Sequence, residues 1–247
     1  MIKTYFGPMG SGKTKIALDL FKKFEKNYYK NRTMFFSPKK DNRHGVGIIK
    51  DRSTNREVKS IAIDDVLEIE NYLTPTTTRV FIDEVNFFES EVSRKKGINS
   101  VKQLEIRRRD RMRWMLQTSL EKRIEFYLFG LNLTAELMPY GLMSTAINMA
   151  QEKHQLYAEC AGCIVDKAEY SYFIPYVKRT NKIGDHDYCA MCFHCYLKWG
   201  NMFKDLKENN LGEYFKEAKI LKPELEEISK SEDKKLIKTI PKWYLEN

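Results

Sequence analysis

Short apolar runs recur through the first half of the chain and predict the strands of a sheet. They occupy residues 2–6, 33–37, 78–83 and 124–130, and polar or turn-forming residues separate them. Runs of this kind are typical of strands that are buried in a sheet. The pattern therefore predicts a sheet whose strands are contributed by well-separated parts of the chain.

Helical periodicity lies between these runs. After the first run, apolar residues recur with the spacing of one helix face, at Ile16, Ala17, Leu20, Phe21 and Phe24. Residues 64–73 show a second helical pattern. Because strands that alternate with helices pair in parallel, the sequence predicts an α/β fold with a parallel sheet.

The pattern changes after about residue 150. Cysteines, the aromatic stretch 170–179 and a Gly184-Asp185 turn favour short strands around a metal-binding knuckle. Amphipathic helical pieces follow, interrupted by Pro223 and Pro241. We therefore expect three parts: a core at 1–150, a small domain at 151–200 and a helical extension at 201–247.

Composition is consistent with a globular protein. The chain has 247 residues, of which 42% are hydrophobic and 31% charged, and it is long enough to bury a core. It has no apolar run that could span a bilayer and no signal-peptide pattern at its start, so we expect a cytoplasmic protein without a membrane partner. Its five cysteines are close together between Cys160 and Cys195, which suits a metal site in a reducing compartment better than disulfides.

The net charge of +9 is concentrated in one segment. Residues 94–123 contain eleven Lys or Arg side chains and three acids. Apolar residues at Met112, Trp114, Met115 and Leu116 favour a core helix with a solvated arginine face, because charge runs are usually solvent faces. The alternative is a site for an acidic partner, either a neighbouring subunit or nucleic acid, and nucleic-acid binding would weaken steeply with salt.

A glycine-rich loop follows the first predicted strand. Its residues are Gly7, Pro8, Met9, Gly10, Ser11, Gly12, Lys13 and Thr14. In this pattern, the P-loop, backbone N–H groups of the loop and of the next helix N-terminus surround phosphates. Lys13 is expected on the β and γ phosphates of a nucleotide, and the Thr14 hydroxyl on Mg²⁺.

Two acids end the third predicted strand. Asp83 follows an apolar run and is placed to hold the Mg²⁺ shell. Glu84 can polarise water, as in a motor or helicase, or accept a proton from a substrate hydroxyl, as in a small-molecule kinase. A solvated or helix-capping acid is the remaining alternative for Glu84.

The cysteines form C-x-x-C pairs. Cys160 and Cys163 make the first pair, and the second is either Cys189 with Cys192 or Cys192 with Cys195. Four thiolates in two such pairs give the closed tetrahedral site of a structural Zn²⁺. Alternative ligands in the same window are two histidines, His186 and His194.

Taken in order, these motifs resemble the zinc-containing thymidine kinase family. The resemblance rests on the P-loop, on IDEVNFF at 82–88, on GLNLTAELMPYG at 130–141 and on the two C-x-x-C pairs, and it covers about residues 1–200. It implies a P-loop α/β core with a small zinc-bearing lid. It also implies transfer of the γ-phosphate of ATP to the 5′-hydroxyl of thymidine or a related deoxynucleoside, in nucleoside salvage for DNA synthesis. The assembly it implies is a homotetramer or a dimer.

The resemblance also assigns roles to individual residues. Asp41 and Arg43, within SPKKDNRHG at 37–45, resemble a family segment that organises the phosphates. Glu84 would be the base for the 5′-hydroxyl, with Lys13 as the second catalytic residue. Nucleoside contacts are expected from Met9, Phe87, Leu131, Thr134, Tyr140 and Tyr188. The zinc ligands would be Cys160, Cys163, Cys192 and Cys195, which leaves Cys189 as the spare thiol.

The sequence also departs from the family pattern. Asn86, Asn132 and Ala135 replace a glutamine, an aspartate and a phenylalanine, so the preferred base stays open. The basic segment, at about 92–118, is an insert that is longer than the family connection. Two other functions are retained as alternatives: a nucleic-acid-stimulated P-loop ATPase with a zinc knuckle, and a nucleotide sensor without catalysis.

Overall fold

The structure, a computed structural model, describes residues 1–26, 32–51, 53–89, 101–163, 167–173 and 188–198. The chain divides into two compact units, one of residues 1–7 and 11–156 and the other of residues 8–10 and those after 156. The predicted extension at 201–247, the Gly184-Asp185 turn and His186 lie outside the described residues. The division into domains at 150 and 200 stays a prediction. No helix in the described ranges is both long and apolar enough to cross a membrane.

The first unit contains a central sheet and a hairpin. Its strands are β1 (Ile2–Phe6), β2 (Thr33–Pro38), β3 (Ile48–Asp51), β4 (Arg56–Lys59), β5 (Ile61–Ile63), β6 (Arg79–Ile82), β7 (Glu125–Gly130) and β8 (Glu152–Gln155). Strands β3 and β4 form an antiparallel hairpin, and the other six form a parallel sheet in the order β5-β2-β6-β7-β1-β8. The predicted α/β class with a parallel sheet is therefore confirmed.

Helices cover both faces of this sheet. Helix α1 (Lys13–Lys26) begins within the P-loop, α2 (Val101–Glu121) precedes β7, and α3 (Gly141–Met149) precedes β8. Helix α1 packs against one face, while α2 and α3 supply buried side chains to the core on the other. Because both faces are covered, most of the strands are apolar throughout, and this is why the sequence revealed them.

The second helical pattern forms a short 3₁₀-helix, Val66–Tyr72. Asp65 fixes its start, because the Asp65 side chain accepts a hydrogen bond from the Leu67 N–H. In return, the Glu68 side chain accepts from the Asp65 N–H at 3.0 Å. This reciprocal capping box satisfies backbone donors that would otherwise lack a partner at the helix start.

Residues of β7 show how the sheet divides its side chains. Tyr127 stacks on Phe81 of β6 with ring centroids 4.6 Å apart, on the face that α1 covers. Phe126 and Leu128 are fully buried in the core on the opposite face. Successive side chains of a strand point to opposite faces, so one strand contributes to both cores.

The second unit carries the cysteines on short hairpins. Strand β9 (Ala158–Glu159) pairs with β10 (Lys167–Ala168), and β11 (Tyr170–Phe173) pairs with β12 (Tyr188–Met191), both antiparallel. Residues 193–198 are helical. Among the described residues, the core of this unit consists of cysteines, alanines, two tyrosines and Met191. A core this small is typical of domains that gain folding free energy from a bound metal.

The core helix predicted in the basic segment is confirmed. It is α2, in which Leu104, Met112 and Met115 are almost or fully buried. Trp114 packs against the same core, with its ring edge-to-face on Phe126 at 6.1 Å. Residues 94–100 of the segment lie outside the described residues.

The expected solvated arginine face is wrong for three residues of α2, which surround Glu89. Arg108 Nε donates to the Glu89 carbonyl at 2.9 Å. The Nε atoms of Arg107 and Arg111 lie 2.9 and 3.2 Å from the Glu89 carboxylate, without hydrogen-bond geometry. Arg111 also donates to Asp65 at 2.5 Å. We call Glu89 with these three arginines the arginine clamp. The Glu89 carboxylate offsets part of their positive charge, which reduces the charge available to a nucleic acid.

We expect Glu89→Gln to lower the free energy of unfolding by about 2 kcal/mol, because the arginines lose a counter-charge that is only 9% exposed. Denaturant unfolding measures this change. The matched control is Glu105→Gln, at an exposed position of the same helix, with an expected change below about 0.5 kcal/mol. Equal stability of the two variants would show that the clamp contributes nothing.

Candidate active site

Most of the predicted site residues lie at the carboxyl edge of the parallel sheet. The P-loop follows β1, the Asp83-Glu84 pair follows β6, and the segment with Arg43 follows β2. Strand β7 lies between β1 and β6 and ends at Gly130. The carboxyl ends of parallel strands meet at one edge, which is where open α/β sheets bind ligands.

Glycines permit the sharp backbone of the P-loop. Gly12 has a φ of 80°, in the left-handed region that residues with a Cβ rarely adopt. A Cβ at Gly7 would lie 2.2 Å from the Leu156 carbonyl oxygen, so no side chain fits there. The first helical hydrogen bond of α1 runs from the Ile16 N–H to the Gly12 carbonyl. The N–H groups that precede it have no partner within the helix and suit an anion.

Lys13 is buried in the loop to which it belongs. Its Nζ donates to the Gly7 carbonyl at 3.0 Å and to Ser11 Oγ at 3.2 Å. Burial lowers the pKa of Lys13 to about 8, although the carboxylates of Glu84 and Asp83 act in the opposite direction. Both acids are therefore close enough to Lys13 to stabilise its charged form.

Asp83 is a buried carboxyl group at the end of β6. Thr14 Oγ1 donates to its Oδ2 at 3.4 Å, and the Glu84 N–H donates to its Oδ1 at 3.0 Å. Burial and the adjacent Glu84 charge raise the pKa of Asp83 to about 7. A divalent cation between Thr14 and Asp83 would offset both effects, so this pair fits the chemistry of a Mg²⁺ site.

Glu84 has an unusual backbone conformation. Its φ of 50° and ψ of 42° are left-handed, and it begins the 3₁₀ turn Val85–Phe87. Its side chain makes no capping hydrogen bond to that turn, so the structure does not support the helix-capping alternative. Backbone strain of this kind in a residue other than glycine is concentrated at functional sites.

Arg43 connects Glu84 to Asp41. Its Nε and Nη2 donate to the two Asp41 oxygens at 2.6 and 2.8 Å, and Nη2 also donates to Glu84 Oε1 at 2.6 Å. Burial disfavours the guanidinium, but Glu84 and Asp41 outweigh it and hold the pKa of Arg43 above its usual range. A permanently charged group thus fixes the orientation of the Glu84 carboxylate.

The segment between β7 and α3 folds back on itself as a tight hairpin. The Tyr140 N–H donates to the Asn132 carbonyl at 3.0 Å, and the Met138 N–H donates to Thr134 Oγ1 at 3.3 Å. The Phe87 ring meets Tyr140 edge-to-face with centroids 6.0 Å apart. The structure therefore places Phe87 beside the segment that carries three further predicted nucleoside contacts, Leu131, Thr134 and Tyr140.

The second unit gathers four thiols. The Sγ atoms of Cys160, Cys163, Cys192 and Cys195 all lie within 4.8 Å of one another, a spread that suits tetrahedral zinc. Hydrogen bonds from backbone N–H groups, which include that of Cys192, outweigh burial and lower the pKa of Cys160 to about 7. Burial raises the pKa of Cys195 above its usual range. Cys189 is not a member of this group, as the predicted register requires.

Two further predicted nucleoside contacts belong to the second unit. The Met9 N–H donates to Ser171 Oγ at 3.0 Å. Tyr188 begins β12 and pairs with Phe173 of β11. Pro8 and Gly10 of the P-loop are grouped with the same unit.

Sequence reasoning missed two sets of residues near the site. One is the arginine clamp, for which the sequence offers no signal because Glu89 and the arginines meet only in the folded chain. The other is Asn86 with Gly130 and Gly141, where the only signal was that Asn86 departs from the family pattern.

The fold and this arrangement define the class of P-loop nucleotide-binding proteins. Residues 1–106 match the family model described as thymidine kinase. A thymidine kinase of Pseudothermotoga lettingae is 27% identical over 195 residues, which cover 78% of this chain and 92% of the relative. A thymidine kinase of Mycoplasma mobile is 26% identical over 200 residues, or 80% and 88% of the two chains. These similarities to thymidine kinases indicate that the chain is a phosphotransferase.

The raised pKa of Asp83 makes stability depend on pH. Because this pKa, about 7, is above its ordinary value of 3.8, the folded state holds the Asp83 proton more tightly than the unfolded state does. The contribution of Asp83 to the free energy of unfolding therefore falls as pH rises from about 4 to about 7. We expect Asp83→Asn to be more stable than the wild type at pH 8, by on the order of 2 kcal/mol, and this advantage to shrink towards pH 5.

Unfolding of the nucleotide-free protein in magnesium-free buffer at both pH values measures this difference. Asp110→Asn is the control, because its carboxylate is exposed on α2. An Asp83→Asn advantage that is the same at both pH values would contradict the assigned pKa direction.

Proposed function

We propose that the protein transfers the γ-phosphate of ATP to the 5′-hydroxyl of thymidine or a related deoxynucleoside. The observation that supports this most directly is the meeting of Lys13, Asp83, Glu84 and Arg43 at one edge of the sheet. A phosphate-binding cation, a site for a metal and a base in one place are what phosphoryl transfer requires. The similarity of the chain to thymidine kinases supports this reaction.

The P-loop would bind the triphosphate. Backbone N–H groups of residues 7–14 surround the phosphate oxygens, and Lys13 exchanges its hydrogen bonds with Gly7 and Ser11 for the β and γ phosphates. Such fixed donors stabilise the charge that develops in the transition state without having to reorganise. Asp41 and Arg43 are proposed to organise the phosphates from the opposite side.

Thr14 and Asp83 would hold Mg²⁺. A cation held by these two residues would supply positive charge that offsets the charge of the triphosphate during transfer. The Asp83 carboxyl is suited to this role because burial and Glu84 make its ionised form costly unless a cation is present.

Glu84 would act as the general base. It accepts the proton of the 5′-hydroxyl as that oxygen bonds to the γ-phosphorus, while the bond to the β–γ bridging oxygen breaks and ADP leaves. Arg43 holds the Glu84 carboxylate in place through the 2.6 Å hydrogen bond. Phe87, Leu131, Thr134 and Tyr140, together with Met9 and Tyr188, are proposed as the nucleoside contacts.

The four clustered thiols are proposed to bind a structural Zn²⁺. Cys160, Cys163, Cys192 and Cys195 provide a closed set of four ligands with no open position for catalysis. Since these thiols have to stay reduced, we place the protein in the cytoplasm. The homotetramer or dimer that the family resemblance implies is part of this proposal, and light scattering of the purified protein tests it.

We expect Glu84→Gln to lower kcat for thymidine phosphorylation by about 10²- to 10⁴-fold, because the amide cannot accept the proton. Formation of the 5′-monophosphate from labelled ATP, over a panel of nucleosides, measures both activity and base preference. Glu57→Gln, on the exposed side of β4, is the matched control and should keep wild-type turnover. Normal turnover by Glu84→Gln would show that Glu84 is not the general base. ATP hydrolysis that rises with added DNA or RNA, with no nucleoside product, would favour the ATPase alternative.

Purified protein should contain about one zinc ion per chain. Elemental analysis should find this zinc lost from Cys163→Ser and retained in Cys189→Ser, because only Cys163 belongs to the cluster of four thiols. The thermal transition should fall in the first variant alone, since metal binding supplies folding free energy. Equal zinc content in the two variants would contradict the assigned ligand set.

A further inference from the structure

Asn86 connects the catalytic turn to the segment that follows β7. It is fully buried two residues after Glu84 and next to Phe87. Its Oδ1 accepts a hydrogen bond from the Leu131 N–H at 2.9 Å. Leu131 is the first residue after β7, where the segment with the proposed nucleoside contacts begins. One side-chain oxygen therefore joins the residue carrying the proposed base to the start of the proposed nucleoside pocket.

Two glycines make room for this contact. A Cβ at Gly130 would lie 2.5 Å from Asn86 Oδ1. A Cβ at Gly141 would lie 1.9 Å from the Asn86 carbonyl oxygen, and the φ of Gly141 is 50°. Both ends of the segment 130–141 therefore close onto Asn86, and neither end tolerates a side chain there.

Two further contacts hold the turn 84–88 against the segment 130–142. The Leu142 N–H donates to the Phe88 carbonyl at 2.8 Å. Phe87 and Tyr140 meet edge-to-face, with centroids 6.0 Å apart. The turn 84–88 and the segment 130–142 thus meet through backbone, amide and ring contacts, and Asn86 provides the side-chain hydrogen bond among these contacts.

The Nδ2 atom of Asn86 indicates that packing alone does not account for an asparagine at this position. This atom is buried and has no hydrogen-bond partner among the described residues. A buried amide N–H₂ without a partner destabilises the fold, whereas an apolar residue of similar size would not. The hydrogen bond from the Leu131 N–H to Asn86 Oδ1 stabilises the fold and offsets this cost.

We propose that Asn86 is a positioning residue that sets the distance between the base Glu84 and the nucleoside-binding segment 131–140. The inference rests on the proposed kinase function. Asn86 acts through Leu131, so it affects how the nucleoside is seated and does not touch the phosphates. Loss of Asn86 should therefore weaken nucleoside binding much more than ATP binding.

The test compares Asn86→Ala and Asn86→Asp with Asn148→Ala, which makes the same change at an exposed position of α3. Hydrogen exchange of peptides that begin within β7, before residue 129, and extend through the segment to residue 140 includes the Leu131 amide. We expect about tenfold faster exchange in Asn86→Ala, because a hydrogen bond to a partly buried donor is lost. Asn86→Asp keeps an acceptor oxygen, so at a pH at which its buried carboxyl is protonated the exchange at 131–140 should stay slow, and Asn148→Ala should not change it at all.

Kinetics supply the second readout. In Asn86→Ala, KM for thymidine should rise about tenfold while KM for ATP stays within about twofold. Should Asn86→Ala fail to fold, Asn86→Leu removes the same acceptor oxygen while filling a similar volume, and it should give the same split between the two KM values. Unchanged exchange in Asn86→Ala, or equal increases in both KM values, would overturn the inference.

The two proposals fail in different ways. A wild-type protein that phosphorylates no nucleoside removes the proposed function, and the kinetic role of Asn86 with it. Failure of the Asn86 inference alone would appear as normal wild-type activity combined with unchanged exchange at 131–140 in Asn86→Ala.

Discussion

Four ionisable groups share a largely buried site at the carboxyl edge of the sheet, and the balance among their charges is the constraint on which the site depends. The carboxylates of Glu84 and Asp83 favour the charged form of the buried Lys13, whereas the charge of Glu84 adds to the cost of ionising the buried Asp83. The Glu84 N–H donates a hydrogen bond to the Asp83 carboxylate. The Arg43 guanidinium donates to the Glu84 carboxylate and offsets its negative charge. The parallel strands bring these groups together, because loops that are distant in sequence leave the sheet at the same edge. A site assembled in this way favours anionic and cationic ligands that complete the balance.

The same arrangement explains why functional residues lower the stability of the unliganded chain. Asp83 has a raised pKa, Glu84 has a left-handed backbone, and the Asn86 amide N–H₂ has no hydrogen-bond partner in the part of the chain that the structure describes. Each of these features is unfavourable for a protein whose only requirement is to stay folded. The cores on both faces of the sheet supply the stability that makes them tolerable. Stability and function are therefore distributed over different parts of one sheet.

The main features of the fold could be predicted from the sequence because buried parallel strands are apolar on both faces. Strand β8 was missed because Glu152–Gln155 is polar and lies at the sheet edge, and β5 was missed because it has only three residues. The P-loop and the C-x-x-C pairs are defined by the spacing of residues that are close in sequence, so both could be predicted from the sequence. The partners of Arg111 and Asn86 depend on which distant segments meet after folding, and no local pattern encodes that. The C-x-x-C spacing alone left Cys189 and Cys195 as alternatives, and the family resemblance selected Cys195, which is a member of the group of four thiols in the structure.

The arginine clamp has a consequence for changes in chain length. Glu89 and helix α2 are held to each other directly, through Arg108 and the Glu89 carbonyl, so their contact does not depend on the length of the chain that joins them. A longer connection between two positions that already contact each other costs little, about 0.6 kcal/mol for each doubling of its length. This position can therefore accept inserted peptides or whole modules without transmitting strain to the catalytic turn. It is a natural attachment point for affinity tags, reporters or partner-recruiting sequences, and a place where relatives can diverge in length without loss of chemistry.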